Sequence, residues 1–267
     1  MDDVTRPSRF YDVETGGAIQ LQLQQDGADF RVLRQFGYRD PKHGEAFVVP
    51  DDVQTFRTDL ASIPPLFSWL VPGLGTHLPA VLLHDGLVTN VGQLPTHTGP
   101  EVSREEADRI LRDAMASLGT PQIRRWLMWA GVVLATCWST LTPRWRWRTV
   151  VAGTVGIVVV LGVLATLDLI DVWDVLPWMG DRPWWVEVVT GVVFAVIVPL
   201  AVSIAWGHLW PAGAITGVAL AFLLHVTAVL FGLYAVYWLF ETLISRREGT
   251  GPNISKTLDA AAPDTRS

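Results

Sequence analysis

From about Thr149 to Phe240 the chain is mostly apolar, and three runs there are each long enough to cross a bilayer as a helix: Thr149–Leu167, Trp184–Trp206 and Pro211–Phe240. The N-terminal half reads differently. Arg9–Val13, Ala18–Gln25 and Ala28–Gly37 alternate apolar and polar residues or carry β-branched and aromatic ones, which predicts strands. Gly16-Gly17 and Asp26-Gly27 are turn dipeptides between them, and Asp26-Gly27 between Leu21-Gln22-Leu23 and Phe30-Arg31-Val32 predicts a hairpin. Glu45–Pro50 and Val53–Thr58 extend the β-region, which Pro64-Pro65 closes.

Helices follow. Pro79 opens one that places Ala80, Leu83, His84, Leu87 and Val88 on a single face. A Gly-, Pro- and Thr-rich loop spans Val91–Val102. Ser103 then has the character of an N-cap, with Glu106 three residues on, and this helix stops at Gly119. Pro121 opens Gln122–Leu141, whose stretch Trp126–Leu141 carries no charge. That stretch has the shortest length a span allows and equally suits a buried or interfacial helix, so both readings stay open.

The predicted fold class is an α+β soluble domain followed by an α-helical transmembrane bundle. The soluble domain takes residues 1–122. A helix and a basic-aromatic juxtamembrane segment take 123–148, transmembrane helices occupy 149–245, and a polar, Gly- and Pro-containing tail at 246–267 is expected to be disordered.

Composition sharpens this picture. Only 17% of residues are charged, below the roughly 25% of soluble domains. A net charge of −6 argues against a nucleic-acid partner. The expected partner is the lipid bilayer, with a protein partner or homo-oligomer left open. Cys137 is the only cysteine, so no intrachain disulfide forms. Many of the 13 tryptophans flank the apolar runs, where indole rings favour the headgroup level. The basic loop Pro143–Arg148 is expected in the cytoplasm and the acidic loop Asp168–Pro183 outside. With three spans the soluble domain is cytoplasmic, and with Trp126–Leu141 as a fourth it is outside; Arg246 and Arg247 also favour the cytoplasm, which fits neither count. The opening residues lack an apolar targeting segment, so the soluble domain is expected on the cytoplasmic side of a multi-pass membrane protein.

Candidate chemistry centres on His84-Asp85 and Asp108. A histidine on a buried face needs a partner for its ring N–H. Asp108, at the margin of the next helix's apolar face, can supply it and hold the tautomer, leaving the ring to act as a general base on water. His84 and Asp108 are therefore the candidate catalytic residues. Asp85, pointing elsewhere on the helix, is the candidate metal ligand for a hard cation. The competing reading is a surface ion-pair ladder of Asp108 with Arg104 and Arg112, four residues to either side. Asp59 and Ser62, in Thr58–Pro64, are expected to shape a turn. The loop Val71–Gly75 can offer backbone carbonyls to a cation. In the apolar half, His225 near the middle of a run, Glu187 near a segment end and the kink-forming Pro199 stand out.

The string Phe56-Arg57-Thr58-Asp59-Leu60-Ala61-Ser62-Ile63-Pro64 resembles a motif of an uncharacterised, phage-associated domain family. Later features follow in the same order: Leu83-His84-Asp85, then Ser103–Arg109, Met115, and Gly119 with Pro121. The resemblance covers about Arg9–Trp138, with Val88 where the family tends to have tyrosine, and it implies that Gln122–Leu141 belongs to the soluble domain. It also implies a phage or prophage origin and assigns no reaction. The order His-Asp then Asp also resembles calcium-dependent phospholipases of the A-two type. That likeness makes His84 the base, Asp85 a calcium ligand and Asp108 the support, although those enzymes are disulfide-linked and their glycine-rich calcium loop is echoed only by Gly73 and Gly75. The leading expectation is a phage- or prophage-encoded integral membrane protein acting without catalysis at the host envelope. The alternative is a membrane-anchored, phospholipase-like hydrolase with a His84–Asp108 dyad and a cation, calcium, at Asp85.

Overall fold

The computed structural model describes residues 9–27, 29–58, 60, 75–88 and 96–247. The chain forms two compact units, Met1–Phe222 and Leu223–Ser267.

The first unit opens with six short strands: β1 (Phe10–Asp12), β2 (Leu23–Asp26), β3 (Asp29–Val32), β4 (Phe36–Tyr38), β5 (Phe47–Val49) and β6 (Arg57–Thr58). They make two antiparallel three-stranded sheets, in the orders β1-β4-β5 and β2-β3-β6. Phe10 pairs with Tyr38, and Tyr38 with Phe47, so the first sheet lays an aromatic surface into the core. The expected hairpin at Asp26-Gly27 forms, with Asp26 opposite Asp29 and Gly27 at a φ of 68° that glycine adopts at little cost. The run Ala28–Gly37 is not one strand. It breaks at Leu33–Gln35, where Arg34 turns to the buried carboxylate of Asp12, and the chain passes from one sheet to the other. In Ala18–Gln25 only the end is a strand; the alternation before Leu23 finds no partner strand.

Helix α1 (Leu78–Leu87) is buried nearly all round and not along one face alone. It touches β5 so closely that a Cβ on Gly86 would sit 2.6 Å from Val49 Cγ1. Helix α2 (Arg104–Ser117) begins at Ser103, whose side chain accepts from the Glu106 N–H at 3.2 Å, as the cap pattern predicts. It ends where Gly119 turns to a φ of 72°. Its face Ala107, Ile110, Leu111, Ala114 and Met115 completes the core with the sheets and α1.

Helix α3 (Gln122–Ser139) packs along α2 on one side. On the other, Trp129, Ala130, Val133 and Cys137 join a second core with Trp147 and Val151 of α4 (Arg144–Leu169) and with Trp206, Leu209 and Ala212. Pro143–Arg148 is therefore not a loop. Pro143, at a φ of −74°, caps the start of α4, and Trp147 is buried in that core, which draws the basic-aromatic segment into the helix.

Helix α5 (Trp184–Ser203) follows a loop organised by Asp168, whose buried carboxylate accepts from the N–H groups of Val175, Leu176 and Gly180 at 2.9–3.1 Å. A 3₁₀ turn (Ile204–Leu209), broken at Gly207 with a φ of 60°, then leads into α6 (Trp210–Arg247). The chain folds back there. Gly213 faces the Trp206 ring, Gly217 faces Pro199, and the Trp206 indole N–H donates to Thr154 Oγ1 at 2.9 Å.

Two helical stretches are long and apolar enough to cross a membrane: Arg144–Leu169, and Trp184–Val226 with its break at Gly207. Only 17% and 11% of their apolar windows are buried within the chain. A core helix of a soluble protein would be mostly covered, so these surfaces call for an apolar surrounding. Helix α3 is not among them. In the second unit the described side chains of Val229–Ile244 form a shorter, largely exposed apolar stretch of α6.

Candidate functional site

Because α1 is enclosed by β5 and α2, every polar side chain on it needs a partner from a neighbouring element. His84 finds one on α2. Its Nε2 lies 2.7 Å from Asp108 Oδ1, and the two side chains are 9% and 1% exposed. The second carboxylate oxygen, Oδ2, accepts from the Thr136 hydroxyl of α3 at 2.7 Å. With Asp108 accepting from both His84 and the Thr136 hydroxyl, the hydrogen-bond network assigns the His84 ring proton to Nε2. The opposite ring nitrogen, Nδ1, is then the basic one. Asp108 lies inside the apolar face of α2, deeper than the marginal position its phase suggested.

The ion-pair ladder does not form. Arg112 binds Asp113 at 3.1 Å and lies over the rings of Trp126 and Trp129, at 4.9 and 5.3 Å from their centroids. Asp108 and Thr136 instead line a cleft of about 260 Å³ between α2, α3 and the 3₁₀ turn, with Glu105 and His208 at its rim, 3.4 Å apart.

Asp85, the next residue on α1, faces another way. Its Oδ2 accepts from Thr58 Oγ1 at 2.6 Å, and that same hydroxyl accepts from the Leu60 N–H at 3.0 Å. Thr58, at the end of β6, thereby fastens the sequence motif around it to the His-Asp helix. Leu60 holds a left-handed φ of 68°, unusual for a branched side chain. Asp59, Ser62 and Gly73 lie outside the described residues, and Gly75 lies beside the His77 ring. Calcium takes about six to eight oxygens. The described residues offer Asp85, with one oxygen already engaged, and Asp85 belongs to no cluster of three metal-ligating side chains among them.

Such a cluster does occur at Asp40, His43 and Glu106. A guanidinium already serves it: Arg109 donates to Asp40 and Glu106 at 2.8 and 2.7 Å and pairs with Asp113 at 2.8 Å. Burial works against the Asp40 charge, yet the hydrogen bonds from Arg109, His43 and the Lys42 N–H hold its carboxyl below the usual range. Sequence reasoning missed this hub, because Arg109 and Asp40 are 69 residues apart. It also missed Thr136. Beside Thr136, burial, and after it the charges of Asp108 and Glu105, pushes the Cys137 thiol up to about 12, so no thiolate is present at neutral pH to serve as a nucleophile.

In the apolar half, Glu187 is buried and accepts from the Arg182 N–H at 3.3 Å, an N-terminal tie of α5. His225 lies exposed on α6.

Comparison with known proteins places part of this arrangement. No curated protein and no solved structure matches the chain. Residues 30–132 match the family described as protein of unknown function (DUF1353), so the chain carries an uncharacterised domain running from β3 into α3 and holding His84, Asp85 and Asp108.

Proposed function

We propose that this chain is a membrane-anchored hydrolase, with the lipid ester bond as its substrate class and His84 as the general base. The observation that carries the reading is the 2.7 Å contact of His84 Nε2 with a carboxylate that is itself held on both oxygens. An imidazole fixed in one tautomer by a buried carboxylate is the arrangement general-base catalysis uses. In the step proposed, Nδ1 of His84 takes a proton from a water molecule as the water oxygen attacks the ester carbonyl. The carbonyl C–O bond to the alcohol then breaks, and the proton passes to the departing alkoxide oxygen. Asp108 holds the ring and balances the transient imidazolium.

The two apolar stretches support an anchor in a host cell membrane, crossed more than once, which keeps the domain beside its substrate. The packing of α3 on α2, and the run of the family match into α3, support counting α3 with the soluble domain, which this reading puts on the cytoplasmic side.

A second reading, a phage- or prophage-encoded protein acting at the host envelope without catalysis, draws on the near-closure of the His84 side chain, which suits a satisfied core pair. One experiment separates the two. Full-length protein is reconstituted in phospholipid vesicles, with and without calcium, and fatty-acid release is compared for wild type and His84→Gln. Release by wild type alone supports the hydrolase. No release from either, with both proteins folded, supports the non-catalytic reading.

A further inference from the structure

We infer that Thr136 is a positioning residue of the His84 site. The inference rests on the general-base reading above and adds a third member to the pair. Thr136 is fully buried on α3, four residues beyond the matched segment, and its hydroxyl donates to Asp108 Oδ2 across 28 residues of chain. Asp108 has two oxygens and one task, to receive the Nε2–H of His84. With only Oδ1 engaged, the carboxylate is free to rotate about its last bond, and the histidine tautomer follows it. With Oδ2 pinned by a hydroxyl 2.7 Å away, the carboxylate plane is fixed. A partner of this kind is what gives a hydrogen-bonded base a single orientation.

The placement of Thr136 adds a further consequence. Its neighbours on α3, Val133 and Cys137, belong to the core shared with Trp147 and Val151 of α4 and with Trp206. The residue that fixes the carboxylate is thus itself fixed by the helix that carries the first apolar stretch. The site is built by three helices, α1, α2 and α3, and the third is seated by the apolar half of the chain.

The test uses full-length protein in vesicles or nanodiscs, with Thr136→Val, which keeps the shape and removes the donor, and Thr136→Ser, which restores it. The first readout is the ¹⁵N signature of the His84 ring, assigned by its loss in His84→Gln. The second is ester hydrolysis. The expected result is an Nε2–H ring in wild type and T136S, and an Nδ1–H population appearing in T136V, with kcat lowered on the order of tenfold and KM unchanged. A T136V ring with the wild-type signature and unaltered kcat overturns the inference. If wild type hydrolyses nothing but T136V still changes the ring signature and T136S restores it, the hydrolase reading fails and the positioning role stands. Should T136V not fold, T136A, which leaves room for a water, takes its place in the same comparison.

Discussion

His84 on α1 and Asp108 on α2 meet through a 2.7 Å Nε2–Oδ1 hydrogen bond in the interior of the N-terminal domain, 24 residues apart in sequence. The pair has a stability consequence apart from any chemistry. Asp108→Ala leaves the His84 ring and the Thr136 hydroxyl buried without their acceptor. It is expected to destabilise the domain by about 1–3 kcal/mol for each buried group left unpaired. Denaturant unfolding followed by the N-terminal domain's near-ultraviolet signal measures this. Asp108→Asn keeps the shape and is expected to cost less.

Arg109 gives a prediction whose size depends on pH. The folded Asp40 carboxyl is held below its ordinary value of 3.8, so its contribution is complete above that value and is lost as pH falls below it. Asp12 behaves alike, held low by the Arg34 hydrogen bond. The part of the stability that these two carboxylates supply should therefore be constant above about pH 4 and fall below it. Arg109→Ala strands the buried Asp40 charge, with an expected loss of about 3–5 kcal/mol at pH 7. That deficit should shrink as acid protonates Asp40. Unfolding curves for both proteins across this range check it.

The fold-back at Gly207 rests on two close approaches. A Cβ on Gly213 would lie 2.6 Å from the Trp206 ring, and one on Gly217 would lie 2.8 Å from Pro199 Cβ. Gly213→Ala and Gly217→Ala are each expected to cost about 1–3 kcal/mol through overpacking. Gly153 of α4 has nothing within 4 Å of such a Cβ, and Gly153→Ala is expected to be neutral or stabilising by up to about 1 kcal/mol. Thermal unfolding in detergent compares the three.

Asp168 holds its loop through three backbone N–H groups. Asp168→Ala removes the carboxylate that accepts all three bonds and should raise amide exchange at Val175, Leu176 and Gly180 by about fivefold, since each loses a bond worth roughly 1 kcal/mol. Hydrogen exchange resolved to that peptide reads the effect. Unchanged exchange would show that the loop is held by the packing of Leu176 and Met179 alone.

The parts of the fold legible in the sequence are those governed by local chemistry. Asp26-Gly27 specifies a turn through a positive φ, Ser103 a helix start through its hydroxyl, and Gly119 a helix stop. The meeting of His84 with Asp108 was also legible, because helical phase turns His84 inward and brings Asp108 to the edge of the next apolar face, and a buried imidazole requires an acceptor. Long-range choices were not. Arg34 breaks a predicted strand to reach Asp12, Arg109 reaches Asp40, and Pro143–Arg148 becomes helical because Trp147 is captured by a distant core. Thr136 was hidden for a related reason. It sits in an uncharged stretch that also suits lipid, and only the packing of α3 on α2 turns it towards a carboxylate.

The central claim, that the His84 ring activates water against a lipid ester, is tested most directly in ¹⁸O-enriched water. Full-length protein is incubated with phospholipid vesicles and the released fatty acid is analysed by mass. The account predicts one ¹⁸O atom in each fatty acid released by wild type, and release by His84→Gln at the level of vesicles alone. Fatty acid without the label, or equal release by His84→Gln, would contradict it.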